Sequence, residues 1–299
     1  VRAPENAGTC IGKASGSSVH EPVMVEEIIE FLRPAEPGLV VDGTAGGGGH
    51  LAALMEAFPG ARFLAVDLDP EAIERIREKM PPSSRLDLVV SGYEGIPGVL
   101  STLGLGLADA ALFDLGMSSI QLEDAGRGFA HSSDGPLDMR YDKGSAITAK
   151  DVVNLMPESD LADLLWKWGE DHRSRAIARA IVRARPMETT SELRAAVIRS
   201  CRGRPVKTLS RVFQALRIAV NEEPQRLSSL LAGLAGWVSP IGRIAFLTFH
   251  SIEDRAVKHF LRDSTDFAAS SPPWVKATED ERRRNPRSRS AKLRMGIRR

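Results

Sequence analysis

Three acidic residues close apolar runs in the first half of the chain: Asp42 after Leu39–Val41, Asp67 after Phe63–Val66, and Asp114 after Ala108–Phe113. Behind Asp42 come Gly43-Thr44-Ala45 and then Gly46, Gly47, Gly48 and Gly49. His50 and a helical apolar pattern of Leu51, Leu54, Met55 and Phe58 follow. Glycine lets a backbone approach a ligand without a Cβ clash, so this reads as a strand, a tight turn and a helix start wrapped around a ligand. A turn shaped by packing alone rarely needs four glycines together. An acid after the second strand of a βαβ unit suits the hydroxyls of a ribose, which points to a nucleoside-containing cofactor. The dinucleotide fingerprint fits poorly, because Thr44 stands where that loop takes glycine and the Asp42 carboxylate would repel a pyrophosphate. S-adenosyl-L-methionine carries a ribose, an adenine and an amino group but no phosphate, and the Asp42 and Asp67 pair suits it better.

The elements that must hold these groups follow from the hydrophobic pattern. Strands are expected at Leu39–Val41, Phe63–Val66, Leu86–Val90 and Ala108–Phe113, with helices from His20 to Leu32, on to Phe58, and from Pro70 to Met80. Such alternation predicts a parallel sheet with crossover helices. The rhythm breaks at Asp114–Lys150, a Gly-, Ser- and Asp-rich stretch too long for an ordinary connection. Helices are then expected at Asp160–Trp168, Asp171–Arg185, Ser191–Cys201 and Ser210–Asn221 before a strand returns at Gly242–Phe249. A helix at Ile252–Leu261, a mobile Ser271–Arg289 and a final strand at Ala291–Ile297 complete the reading. The domain boundaries it implies are 19–121 with 222–299 for the α/β domain and 122–221 for an inserted loop and helical domain. The first 18 residues read as a disordered arm without the apolar core of a signal peptide.

Ligands of open α/β sheets bind beyond the carboxyl ends of the strands, where Asp42, Asp67, Asp114 and His250 would meet. The long loop holds Gly126-Arg127-Gly128-Phe129 and Asp134 through Arg140, with acceptors at Asp134 and Asp138 and a donor fork at Arg140. The net charge of +1 hides an asymmetry. Asp160–Arg217 has thirteen Lys and Arg against six Asp and Glu, and Glu281–Arg299 has nine against one, leaving the rest of the chain acidic. Arg175, Arg179 and Arg183 recur at intervals of four, a stripe opposite Ala176, Ile177, Ala180 and Ile181 that suits a nucleic-acid backbone. No apolar run reaches membrane-span length, and Cys10 and Cys201 have neither metal-ligand spacing nor a disulfide pattern, which fits a reducing, cytoplasmic setting.

These motifs together resemble a known family. Glu21-Pro22-Val23-Met24, Asp42-Gly43-Thr44 with Gly48-Gly49-His50, Asp67-Leu68-Asp69-Pro70 and Asp114-Leu115-Gly116 with Gln121-Leu122 match in order. So do Arg127-Gly128-Phe129, Asp134 through Arg140, Phe213-Gln214-Ala215-Leu216-Arg217, Phe249-His250-Ser251 with Glu253-Asp254-Arg255, and Asn285-Pro286-Arg287. From His20 to Arg294 the chain is similar to the RsmH (MraW) family of bacterial 16S ribosomal RNA cytosine-N4 methyltransferases, which has a mitochondrial relative.

The resemblance implies a class I S-adenosyl-L-methionine methyltransferase sheet, Rossmann-like, with an inserted all-helical domain. It carries cofactor contacts to Gly48, Gly49, His50, Asp67, Asp114 and Gln121. A further adenine contact, usually Phe, falls on Glu94 with Tyr93 beside it. The chain also departs from the family at Trp168, at Pro224 and in a short Asp263–Trp274 segment, where a β-strand is expected to be missing. The implied partner is 16S ribosomal RNA within the small ribosomal subunit or its precursor, with no membrane and no metal required, and a homodimer is left open. Asp114 is the first candidate to accept a hydrogen bond from the target amine and Asp138 the second, with Arg140, Arg175, Arg179 and Arg183 gripping the RNA. The rivals are a methyltransferase acting on an amine in DNA or protein, and a nonenzymatic assembly factor of the same fold.

Overall fold

The computed structural model describes residues 21–33, 38–201, 203 and 205–299. The expected N-terminal arm and His20 lie outside them. Seven strands form one sheet in the order β3-β2-β1-β4-β5-β7-β6. Four of them, β1 (Leu39–Asp42), β2 (Arg62–Asp67), β3 (Leu86–Val90) and β4 (Ala108–Asp114), lie where the apolar runs placed them. They pair in parallel with one another and with β5 (Val238–Thr248). Antiparallel β7 (Lys292–Arg298) and β6 (Phe267–Ala269) close the edge.

Every residue of β1 is buried, because both faces of the sheet are covered. On one face Val40, Phe63, Ala65 and Leu112 pack under α1 (Val25–Leu32), α2 (Gly49–Ala57) and α3 (Pro70–Lys79). On the other, Val41, Leu64, Val66 and Phe113 meet α4 (Ile96–Thr102), α11 (Glu223–Gly233) and α12 (Ser251–Asp263). Alternate residues of each strand serve opposite cores.

Between β4 and β5 the chain leaves the sheet. A short α5 (Ser119–Glu123) leads into the long loop, then α6 (Ala149–Leu155), α7 (Glu158–Gly169), α8 (Ser174–Arg183), α9 (Thr190–Ser200) and α10 (Pro205–Val220). These helices bury a third core of their own, with Phe129, Leu137 and Met139 of the loop inside it. Capping boxes at Thr148 and Thr189 start α6 and α9.

The long loop is packed rather than open. Arg127 is 2% exposed, with Nη1 on Asp69 at 2.9 Å and on Glu71 at 3.2 Å, and Nη2 on the carbonyls of Arg140 and Tyr141. Gly128 has φ 70°, and a Cβ there would collide with the Pro136 carbonyl oxygen.

Several expectations are corrected. The Ser271–Arg289 segment is ordered, with α13 (Glu279–Arg284) inside it. Glu281 accepts from the Met24 amide at 2.8 Å and Asn285 donates to the Glu21 carbonyl at 2.9 Å, long-range bonds invisible to composition. The short segment after Asp263 still forms β6, whose register against β7 runs from Phe267–Arg298 to Ala269–Gly296. Pro224 lies in the first turn of α11, where its missing N–H costs nothing, so it marks a helix start. Helix α10 starts at Pro205 for the same reason, earlier than its apolar pattern indicates.

Arg127→Met is expected to destabilise the protein by about 3 kcal/mol in denaturant unfolding, since it strips a buried carboxylate of its nearest cation while Arg75 stays 3.9 Å away. A loss below about 0.5 kcal/mol, the range of ordinary surface substitutions, would show that the ion pair does not hold the loop.

Candidate cofactor and methyl-transfer site

A cavity of about 840 Å³ opens at the carboxyl ends of β1, β2, β4 and β5. Among its lining residues are Gly46 through His50, Asp67, Tyr93, Asp114 through Gln121, Tyr141, Glu223, His250 and Glu253. This volume lies toward the upper end of small-molecule pockets, roughly 300–1,000 Å³.

The glycine turn is fixed from below. The Gly43 amide donates to the Leu112 carbonyl and the Ala45 amide to the Val66 carbonyl, which fastens the turn to both neighbouring strands. The Asp114 amide donates to Thr44 Oγ1 at 2.6 Å, tying the end of β4 to the turn. Gly46 and Gly48 have φ of 51° and 81°, and Gly48 precedes α2 with no side-chain cap. The first amides of α2 therefore lack a side-chain partner beside the cavity.

Asp67 does two jobs. One oxygen accepts from the Gly46 amide at 2.7 Å and the other from the Asp69 amide at 2.9 Å. Each oxygen keeps a second lone pair for a ligand hydroxyl. Burial pushes its pKa up to about 6.

Asp42 and Asp114 each keep one buried oxygen, Oδ2 and Oδ1 respectively, without a hydrogen-bond partner. Burial raises both pKa values, that of Asp42 to about 7, with His50 as the largest opposing influence. His50 fixes the proton pattern. Its Nε2 lies 2.8 Å from the Val23 carbonyl, which only accepts, so Nε2 carries a hydrogen and Nδ1 faces Asp114 Oδ2 at 3.5 Å. Two orphaned acceptors behind a glycine cradle are what a small cation with several N–H donors would satisfy. The amino group of S-adenosyl-L-methionine is such a cation, and these residues fit it.

Other sequence candidates fall elsewhere. Gln121 lines the cavity, but its amide is engaged at both ends, with Nε2 on Asp69 at 2.9 Å and Oε1 accepting from the Ser118 amide in a capping box. Glu94 is not at the cavity wall. It pairs with Arg226 at 2.5 Å, and its neighbour Tyr93 takes the lining position, its ring edge-on to Phe113. Asp138 and Arg140 are also outside the cavity and hold each other, with Arg140 Nε and Nη2 on the two Asp138 oxygens at 2.8 Å. The acceptor role expected of Asp138 is not supported by this position, and the Arg140 fork is taken up by Asp138 and the Lys143 and Ser145 carbonyls. Arg175, Arg179 and Arg183 are exposed on α8 opposite buried Ile177, Ala178 and Ile181, as the spacing requires, although Ala176 is exposed as well. Arg179 lies 3.5 Å from Glu158.

The far wall carries a cluster of which the sequence placed only His250 at the cavity. Arg217 of α10 makes a two-pronged pair with Glu223 at 2.7 and 2.9 Å, and Tyr141 donates to Glu223 at 3.1 Å. His250 Nε2 lies 3.0 Å from Glu253 Oε1 and 3.2 Å from Arg217 Nη2. Burial lowers the His250 pKa, but Glu253 and Glu223 outweigh it and carry the value up to about 9. His250 also stands at the N-cap of α12, with the Glu253 amide 3.5 Å from its Nδ1. Glu223, His250 and Glu253 have ligand atoms within 4.8 Å of one another, a set that could hold a divalent ion, but the Arg217 guanidinium stands among them. Arg217 and Glu223 are six residues apart across a helix break, so no periodic pattern announces their meeting.

The comparison with known proteins decides the family. The pattern of the MraW methylase family matches residues 17–299. The chain belongs to the MraW methylase family. It is 40% identical to the Ribosomal RNA small subunit methyltransferase H of Coprothermobacter proteolyticus over 92% of this chain and 95% of that one. The protein of the same name from Methylocella silvestris is 43% identical over 95% and 89% of the two chains, and that of Deinococcus radiodurans 42% over 93% and 89%. As an MraW methylase, the protein is an S-adenosyl-L-methionine-dependent methyltransferase.

Bound cofactor should draw the proton from Asp42, whose pKa burial raises to about 7. Calorimetry in buffers of different ionisation enthalpy is expected to show proton release near neutral pH. Affinity should fall as pH drops from about 8 to about 6, because the raised pKa of Asp42 puts a proton on that acceptor in the free protein. Affinity independent of pH would remove Asp42 from the cation site. Asp67→Ala should weaken binding by roughly 1.5–3 kcal/mol for each charge-assisted hydrogen bond removed.

Proposed function

We propose that the protein methylates the N4 amino group of a cytidine in 16S ribosomal RNA, acting on the small ribosomal subunit or its precursor in the cytoplasm. The observation that carries this reading is the family match over nearly the whole chain, together with relatives whose names specify small-subunit ribosomal RNA. Among the described residues no helix is long and apolar enough to cross a membrane.

Residues 19–121 and 222–299 are read as the methyltransferase domain and 122–221 as the inserted domain that recognises RNA. The separate core of α6–α10 supports that division. The exposed Arg175, Arg179 and Arg183 on α8, and the exposed Arg283 and Arg284 on α13, support phosphate binding.

When bound, the cofactor supplies an electrophilic methyl on a positively charged sulfur. The protein's own task is to hold the cofactor and to bring an amine in line with it, for the N4 lone pair of cytosine is delocalised and a poor nucleophile. Positioning is the main resource, worth up to roughly 7–11 kcal/mol in ideal cases. Gly46 through Gly49 and Asp67 cradle the nucleoside and amino-acid parts, and Asp114, backed by the buried Asp42, takes the amino group. Asp114 stands at the end of β4 next to Gly116, so a direct role in activating the target amine is the competing assignment. Single-turnover methylation by Asp114→Ala at saturating cofactor separates the two. A normal rate with weakened cofactor affinity is expected, and a drop of a hundredfold or more would place Asp114 in the chemical step.

The function itself is tested by mass mapping of nucleosides in small-subunit RNA after reaction with the purified protein. N4-methylcytidine is expected, and methyl groups found only on DNA or protein would overturn the reading. Changing Arg175, Arg179 and Arg183 to Ala should lower the salt slope of RNA binding by about 0.7–0.9 for each phosphate no longer neutralised.

A further inference from the structure

With Asp114 on the cofactor side and Asp42 and Asp138 both absent from the cavity lining, the target amine still needs an acceptor. Several carboxylates reach the cavity wall on the side of Gly116. Glu223 has both oxygens on the Arg217 guanidinium and one also on the Tyr141 hydroxyl. Glu253 is held differently. It is 5% exposed, its Oε2 accepts from the Phe249 amide at 3.1 Å, and its Oε1 meets His250 Nε2 at 3.0 Å. Oε1 retains a second lone pair.

That oxygen looks onto Gly116. A Cβ placed on Gly116 would lie 3.7 Å from Glu253 Oε1 and 4.0 Å from Arg217 Nη1. Gly116 has φ 93°, a conformation that other residues rarely adopt, so the space over it stays clear. An acceptor and a donor thus approach one point beside the end of β4. The edge of cytosine offers the complement: an amino donor next to a ring-nitrogen acceptor. Uracil offers a carbonyl next to an N–H, the reverse order. Carboxylates accept from the cytosine amino group in other base-reading sites.

We propose that Glu253 is a catalytic residue that accepts a hydrogen bond from the target amine through Oε1, with Arg217 donating to the adjoining ring nitrogen and His250 positioning the carboxylate. This deepens the cytidine-methylation reading and rests on it. As the amine nitrogen forms its bond to the methyl carbon, the carbon–sulfur bond breaks and its electron pair stays on sulfur. The nitrogen is then positively charged and has one proton too many. Glu253 takes that proton and gives it to water after the product leaves. The charges flanking Oε1 are Arg217 and His250 on the positive side and Glu223 and Asp114 on the negative.

The test uses the full-length protein, unmethylated small ribosomal subunits and S-adenosyl-L-methionine. Wild type is measured first, and failure to form N4-methylcytidine at that stage overturns the cytidine reading rather than the role of Glu253. Glu253→Gln retains an oxygen for the Phe249 amide but loses the charge. Its cofactor affinity should stay within twofold of wild type, while its single-turnover rate should fall a hundredfold or more. A rate within threefold of wild type at full cofactor affinity overturns the proposal. Should the Gln variant fail to bind cofactor, Glu253→Asp is read in its place: a slowed single turnover at full cofactor affinity supports the role, and an unslowed one overturns it. A wild-type rate abolished by chelator and restored by a divalent metal would also overturn it, assigning the cluster to a metal.

Discussion

Asp69 is 1% exposed, and three parts of the chain meet on its carboxylate. One oxygen caps α3 through the Glu71 amide, and the other accepts both Gln121 and Arg127. Arg127 in turn binds the carbonyls of Arg140 and Tyr141. The turn after β2, the helix after β4 and the long loop into the insertion are thereby held in one register. Tyr141 is then in place to touch Glu223, and its amide donates to Asn221 Oδ1 at 2.7 Å. The far wall of the cavity depends on this chain of interactions. An unpaired buried carboxylate is costly, so the arrangement is close to all-or-none.

The cavity itself is built from groups that burial disfavours. Asp42, Asp67 and Asp114 crowd the ends of three strands, and desolvation raises all three pKa values. The opposite wall is balanced internally, with Arg217 and His250 set against Glu223 and Glu253. One side is left short of positive charge and the other is neutral overall. That asymmetry favours a cationic ligand against the glycine turn and a neutral, hydrogen-bonding one against α11 and α12.

Much of this was legible in the sequence, for local reasons. The apolar runs of β1, β2 and β4 are continuous because both faces of the sheet are covered, so each strand end, and with it Asp42, Asp67 and Asp114, could be placed. The glycine turn announced itself by composition. The other wall was hidden, because Arg217, Glu223, Tyr141 and Glu253 come from four segments joined only by tertiary packing. Asp138 and Arg140 misled for the opposite reason: a dense polar motif reads as a ligand site when its groups in fact satisfy one another. The adenine contact expected at Glu94 falls on a side chain that turns to Arg226, leaving the cavity to Tyr93.

The strand order has a consequence for how the protein is made. Strand β5 pairs with β4 on one side and with β7 on the other, yet α12, β6 and α13 all precede β7 along the chain. A nascent polypeptide that has already emerged through α13 still exposes the outer edge of β5, and β6 has no strand to lie against. Leu293 and Met295, which complete the core under α1, arrive with β7. An open, apolar strand edge is a template for pairing with other chains. The interval between translation of β5 and of β7 is therefore the period in which this molecule is most exposed to misassembly, and chaperone protection would be of most use then.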